Sequence, residues 1–458
     1  MSNNALAIIE LKALLGDRLS TSPSVIDLHA HDEAHSPAAP PDAVAFPENT
    51  AEVSEIAKIC HKHGCPIVPW GVGTSLEGHA LAIQGGITVD FANMDKILQV
   101  YEEDLNVVVQ PGVTREQLNT DLRATGLFFP IDPGANATIG GMTATRASGT
   151  TAVRYGTMKD NVLALEVVMA DGRIIRTGTR AKKSSTGYDL TRLIVGSEGT
   201  LGLITEITLR LQGQPEATAA AVCEFEDANS AVSAVISAVQ TGIPMARMEF
   251  VDAVSIKAIN VFSNMDMKEC PHLFMEFHGT ENAVKEQSEQ MAEIAAEFGG
   301  GGFQWSTKTE ERNTLWKARH TAYHAMKATK PGALGITTDV CVPISHLAQA
   351  IDDSIEDIAS QGLTPFILGH VGDGNYHAAL LIDPNDPEGM KTAVGIAHRM
   401  NQRALAVGGT VSGEHGIGTG KMKYMAEEHG DAWSVMADIK RALDPDNILN
   451  PGKMVQVN

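Results

Sequence analysis

Pro66-Ile67-Val68-Pro69-Trp70-Gly71-Val72-Gly73-Thr74-Ser75-Leu76-Glu77-Gly78 runs from a short apolar strand straight into a glycine-rich loop. Glycines at 71, 73 and 78 remove the side chains that would keep an anion away from backbone N–H groups. Two further stretches repeat the device: Pro133-Gly134-Ala135-Asn136-Ala137-Thr138-Ile139-Gly140-Gly141 and Gly196-Ser197-Glu198-Gly199-Thr200-Leu201-Gly202. One such loop alone is more often a turn cluster than a phosphate cradle; three in one half of a chain suit a dinucleotide. None has the G-x-G-x-x-G form opening a helix of a βαβ unit, so a nicotinamide Rossmann site is not expected.

Outward from that loop the spacing predicts an α+β chain. Thr50 to His63 has helical spacing and a Gly64 stop; strands are predicted at 66–69, 86–90 and 106–110, and a helix from Thr114 to Thr125. Val162 to Ile175 reads as strand, Asp171-Gly172 turn, strand, and Ile204 to Leu211 closes a further pair. After Gln212-Gly213-Gln214-Pro215 longer helices take over, Asp227 to Gln240 and Glu281 to Phe298, around a strand at Leu273 to Phe277. Gly299 to Gly302 reads as a loop.

At 458 residues the chain exceeds one ordinary core, so two or more domains are expected. A net charge of −21 with no basic block argues against nucleic acid as a partner. Cys60, Cys65, Cys223, Cys270 and Cys341 lack CxxC spacing and suit reduced thiols. Met1-Ser2-Asn3-Asn4 followed by an amphipathic Ala5 to Leu15 is neither a secretory signal nor an Arg-rich transit pattern, and no run approaches a membrane span. The expectation is therefore a cytoplasmic protein, or one attached peripherally to the inner face of the membrane.

A second constellation lies downstream. Gly369-His370-Val371-Gly372-Asp373-Gly374-Asn375-Tyr376-His377 sits between the apolar runs Thr364 to Leu368 and Ala378 to Ile382, and reads as two strands around a turn. Symmetric closure on 372–375 places His370 opposite His377, with Cβ atoms roughly 5 Å apart. Glu414, in Gly413-Glu414-His415-Gly416, supplies a carboxylate to make a two-histidine, one-carboxylate set for zinc or manganese with positions open to substrate. The alternative is a pair of satisfied core histidines beside an acidic loop.

Pro69 to Ser75, Ile139-Gly140-Gly141, Tyr155-Gly156 and Ser197 to Gly202 resemble the FAD-binding domain of the vanillyl-alcohol oxidase superfamily, of the p-cresol methylhydroxylase type. Leu315-Trp316-Lys317-Ala318-Arg319, Thr338-Asp339-Val340-Cys341-Val342-Pro343, the two histidine motifs and Asp444-Pro445 to Asn450-Pro451-Gly452-Lys453 resemble the FAD-dependent D-2-hydroxyacid dehydrogenases. The likeness is greatest to the cytochrome-type D-lactate dehydrogenases, with D-2-hydroxyglutarate dehydrogenases and the flavin-bearing chain of glycolate oxidases as relatives. It implies an N-terminal helix and lead-in over 1–37 and a two-subdomain FAD-binding domain over 38–214. An α+β substrate and metal domain over 215–420 follows, then a C-terminal segment, 421–458, returning to the flavin. It also implies that FAD is held by Trp70, Gly71, Val72, Gly73, Thr74, Ser75 and Leu76; by Pro133, Gly134, Thr138, Ile139, Gly140, Gly141, Thr145, Ser148, Gly149 and Tyr155; and by Glu198, Gly199, Gly202, Ile204 and Asn450. Thr74 stands where members with covalent FAD often carry histidine, so noncovalent attachment is expected. His79, just beyond the loop, reads as an exposed or capping histidine.

The reaction so implied is oxidation of a D-2-hydroxy acid to the 2-oxo acid, D-lactate to pyruvate first, with hydride passing from C2 to flavin N5. The hydroxyl and carboxylate of the substrate chelate the ion, His415 takes the hydroxyl proton, and Arg319 pairs the substrate carboxylate. Thr337-Thr338 stands where the 2-hydroxyglutarate branch tends to place a basic residue, which favours a short substrate. D-2-hydroxyglutarate, glycolate, or service as the flavin-bearing member of a glycolate-oxidase-like complex are the alternatives. Cytochrome c, a quinone or an electron-transferring flavoprotein suits as acceptor, and a homodimer is compatible.

Overall fold

The computed structural model describes residues 2–33 and 36–457. The chain forms two compact units: the described parts of 1–148, 156–214 and 414–458 make the first, and 149–155 with 215–413 the second. Gly149–Tyr155 thus belongs with the second unit, whereas the sequence pattern groups 38–214 together. The tail joins the first unit from Glu414 instead of from 421.

In the first unit, strand Ile67–Trp70 pairs in parallel with Ile87–Asp90, which pairs in parallel with Ala43–Ala45; Leu19–Ser20 completes a four-stranded sheet. Helix Thr50–His63 forms because Asn49 accepts from Glu52 N at its start and Gly64, at φ 59, takes the left-handed position at its end. Its Val53, Ile56 and Ala57 share one core with Ala7, Leu11 and Leu15 of helix Asn3–Leu15. A second, antiparallel sheet runs in the order 97–101, 106–109, 203–210, 162–168, 174–178. Val107, Val109, Leu165, Val167, Ile207 and Leu209 are buried beneath it, each contributing about 1.5–3 kcal/mol on burial.

The second unit is an eight-stranded antiparallel sheet with helices on both faces. Strand Met245–Val251 explains the layout. Met248 and Phe250 enter one core with helices Ala228–Gln240, Glu281–Glu297, Leu347–Ser360 and Pro387–Ala406. The alternate residues Arg247, Glu249 and Val251 take the other face, where Val251 packs with Trp316 of helix Thr309–His320 and Ala322 of helix Ala322–Ala328. The expected loop Gly299 to Gly302 is only half right: Gly301–Ser306 is an edge strand, with Gly301 paired to Glu224. No helix among the described residues is long and apolar enough to cross a membrane.

Candidate active site

Strands Phe366–His370 and Asn375–Ile382 form the expected hairpin, but around 371–374, with His370 opposite Asn375 and Leu368 opposite His377. The symmetric closure is therefore wrong by two residues. An even shift keeps every side chain on its face, so the imidazoles are diagonal neighbours on one side, ring centroids 5.5 Å apart and planes at 80°. Two local causes fix this register. A Cβ on Gly374, at φ 80, would lie 2.2 Å from Val342 O, and Asn375 Nδ2 donates to Asp339 Oδ1 (2.7 Å) and Val340 O (2.8 Å), holding residue 375 in the strand.

Both rings are anchored through Nδ1. His370 Nδ1–H donates to Glu249 Oε1 at 2.7 Å and His377 Nδ1–H to Thr338 O at 2.9 Å; both acceptors lack a proton to give, which sets the tautomers. Nε2 is then the nitrogen that each ring could offer a metal ion, the arrangement in which an outer carboxylate or carbonyl orients a ligating histidine. Glu249, fully buried, also accepts from Arg319 Nη2 at 2.5 Å. Burial raises the Glu249 pKa, but His370 and Arg319 outweigh it and hold the carboxylate below its ordinary range. Arg319, expected to clamp the substrate carboxylate, is buried with one edge committed to Glu249. Glu249 was missed from sequence, although Arg247 and Glu249 put two charges at a spacing of two in an otherwise apolar strand.

The described residues include a three-residue group able to hold a metal ion, His370, His377 and Glu414, and a second in which His377 is joined by Asp339 and His415. Glu414 is peptide-bonded to Gly413, the last residue of the second unit.

Within the first unit the three glycine stretches converge. A Cβ on Gly71 would meet Thr138 Oγ1 at 2.5 Å, and one on Gly199, at φ 71, would meet Pro69 Cγ at 2.3 Å. Glu198 N donates to Ala144 O at 2.8 Å. Gly73 packs on the ring of Trp70, and Gly202 on Val167; Gly140 is pressed on Pro111, whereas Gly134 faces open space. Most of these glycines are thus demanded by neighbouring protein, a reason the anion argument did not include. Thr138 caps helix Ile139–Thr145, Thr145 Oγ1 donates to Gly141 O at 3.1 Å, and Ile204 lies in the hydrophobic core. Val72 and Leu76 are exposed. Gly149 and Tyr155 fall in the second unit, where the Tyr155 hydroxyl meets His278 Nδ1 at 2.7 Å. His79 is neither exposed nor a cap: it is 5 % exposed and its Nε2 lies 3.2 Å from Glu198 Oε1. Asn450 Nδ2 donates to the backbone oxygens of both His79 and Glu198.

Similarity to known proteins places the chain among the flavin-linked oxidoreductases. Residues 41–178 match an FAD binding domain and residues 214–454 match the C-terminal domain of FAD linked oxidases; the chain belongs to the FAD-linked oxidases of the vanillyl-alcohol oxidase and p-cresol methylhydroxylase type. It is 48 % identical to a probable mitochondrial D-lactate dehydrogenase of Danio rerio, covering 98 % of this chain and 92 % of that protein. It is 45 % identical to the mitochondrial D-lactate dehydrogenase (cytochrome) of Arabidopsis thaliana, covering 98 % and 80 %. The fold is that of p-cresol methylhydroxylase with substrate bound, at a TM-score of 0.82 and 18 % identity over 100 % of this chain and 98 % of that one. The cytoplasmic placement is overturned, since these relatives are mitochondrial; it rested on a missing targeting pattern, and such an absence identifies no compartment.

Proposed function

We propose that the chain oxidises a D-2-hydroxy acid, D-lactate before others, to its 2-oxo acid. The observation that carries this reading is the pair of imidazoles fixed through Nδ1 by Glu249 and Thr338, which prepares two Nε2 ligands for a divalent ion; the names of the relatives supply the substrate. Glu414 is assigned as third ligand, with zinc or manganese equally suited to the set. When bound, FAD supplies a two-electron acceptor and the ion a Lewis acid for the substrate hydroxyl. The residues do the rest. Glu249 keeps His370 in one tautomer, Arg319 balances the Glu249 charge, and His415 receives the hydroxyl proton. Arg319 is therefore a positioning residue.

The FAD contacts are assigned to the three converged glycine stretches, without a covalent link at Thr74. Thr338 favours a short substrate because its carbonyl holds His377 and its hydroxyl accepts from Ala378 N at 2.9 Å, leaving no cation there for a second carboxylate. A cytochrome fits as electron acceptor: the Arabidopsis relative is named for one, and a charge of −21 attracts a basic partner.

The test is dye reduction by purified holoenzyme with D- and L-lactate, glycolate, D-malate and D-2-hydroxyglutarate, before and after chelation. D-lactate should give the highest kcat/KM, and chelation or His370→Ala should abolish turnover with flavin absorbance intact. Preference for D-2-hydroxyglutarate would overturn the substrate; flavin lost together with activity would make the histidines structural.

A further inference from the structure

His79 is the centre of a knot of four chain segments in the first unit that the reaction outlined above does not use. Glu198, 4 % exposed and at φ 53, presents its carboxylate to His79 Nε2 and to the backbone N–H groups of Ile417 (2.7 Å) and Gly418 (2.8 Å). A left-handed φ in a non-glycine residue carries strain of about 1–3 kcal/mol, and Asn450, at φ 42, repeats it while bridging the His79 and Glu198 carbonyls. Lys453 Nζ, fully buried, ties Asn450 Oδ1 to Leu81 O. Gly416 closes the knot: a Cβ there would lie 2.5 Å from His79 Nε2.

For all this holding, neither ring nitrogen makes a hydrogen bond: Nε2, in an ion pair 3.2 Å from Glu198 Oε1, and Nδ1 are both buried without a hydrogen-bond partner among the described residues, and so is the Ser197 hydroxyl beside Glu198. Leaving such a group unmade costs about 1–3 kcal/mol, so a buried donor kept bare by strained neighbours is a donor awaiting an acceptor. Burial alone would lower the His79 pKa, but the Glu198 charge and its contact, with Glu77 and Asp32 behind it, prevail and raise it. His79 directly follows the loop 71–78, one of the three that converge.

We propose that His79 Nδ1–H donates a charge-assisted hydrogen bond to an anionic oxygen of FAD, with Glu198 as the counter-charge that positions the ring. The two sources of such an oxygen are the diphosphate and the reduced isoalloxazine. The inference rests on membership of the FAD-linked oxidases and not on the substrate or metal reading, so it stands or falls separately from them.

His79→Gln tests it, because a glutamine amide can replace Nε2 toward Glu198 but cannot reach the Nδ1 position. The full-length apoprotein is titrated with FAD by fluorescence quenching. A charge-assisted bond to the diphosphate of about 1.5–3 kcal/mol predicts an FAD Kd raised about tenfold to a hundredfold at temperatures where the variant apoprotein is folded; its melting temperature falls because Glu198 stays buried without its counter-charge. If the acceptor is the diphosphate, affinity for ADP as competitor falls in parallel and the flavin midpoint potential stays; if it is the reduced ring, the potential falls and ADP is unaffected. Either result supports the bond. An unchanged FAD Kd together with an unchanged flavin midpoint potential, with or without a lower apoprotein melting temperature, overturns it. Should the variant not fold, wild-type protein labelled with 15N-histidine reads the same contact: the His79 Nδ1–H signal must shift and become protected on adding FAD, and a signal indifferent to FAD refutes the proposal.

Discussion

Glu249→Gln isolates the group on which the histidine centre turns. Glu249 is fully buried and serves two donors, Arg319 Nη2 and His370 Nδ1. A glutamine offers one acceptor oxygen for the two and turns an amide donor toward the other, so one donor loses its partner and the Arg319 cation, side chain 9 % exposed, loses its counter-charge. Breaking a buried pair in this way costs about 3–5 kcal/mol; at about 2–4 °C per kcal/mol for a unit of this size, the melting temperature of the second unit should fall by about 6–20 °C. Loss of an outer-shell carboxylate should also weaken metal affinity about 10- to 100-fold. Differential scanning calorimetry reads the first effect and competition with a metal indicator the second. Arg319→Met added to Glu249→Gln should return most of the lost stability, because the uncompensated cation is gone, while the metal affinity stays reduced. A single variant that melts within about 2 °C of wild type and binds metal equally would refute the argument that Glu249 is ionised and holds His370.

His415→Asn should lower kcat about 100- to 10,000-fold in the dye assay with KM little changed, as removal of a proton acceptor does; an unchanged kcat rules His415 out. Asp252→Asn probes pH. Burial pushes the Asp252 carboxyl up from 3.8 to about 6 although Ser255 N and Ile367 N donate to it. The folded state therefore holds this proton more tightly than the unfolded chain, and the stabilisation, about 3 kcal/mol at most, is complete below about pH 4 and lost as pH rises through 6. Asparagine keeps the acceptor without the charge, so the variant should melt higher than wild type near pH 8 and match or fall below it near pH 4; an equal difference at both would show that the charge is not the cause.

What could be read from sequence was local, and what could not was supplied across long separations. The glycine stretches and the histidine hairpin each carry their signal within about ten residues, through missing Cβ atoms or apolar runs around an Asp-Gly turn. Even the register error was harmless to the site, since alternation fixes the face whatever the even slip. By contrast His370 is held by a carboxylate 121 positions upstream, and Glu198 lies 119 positions after His79, the histidine it pairs with. Arg319 reads as a free cation because a helix face alone does not tell that a strand will bring a buried glutamate against it.

The same reasoning explains why His79 is illegible in the sequence while His370 is not. His370 lies in a strand, where alternation assigns a polar residue to one face and a glycine turn marks it as deliberate. His79 follows a loop without periodicity, so nothing local distinguishes a solvated imidazole from a buried one. Its burial follows from the returning tail: Asn450 Nδ2 donates to His79 O, and Gly416 lies against its ring. Residues that bind a ligand are legible where secondary structure orders them; residues that depend on the end of the chain meeting its beginning become legible only in the folded unit. Burial of an ionisable loop residue is, for that reason, read from the folded unit and not from the loop motif that precedes it.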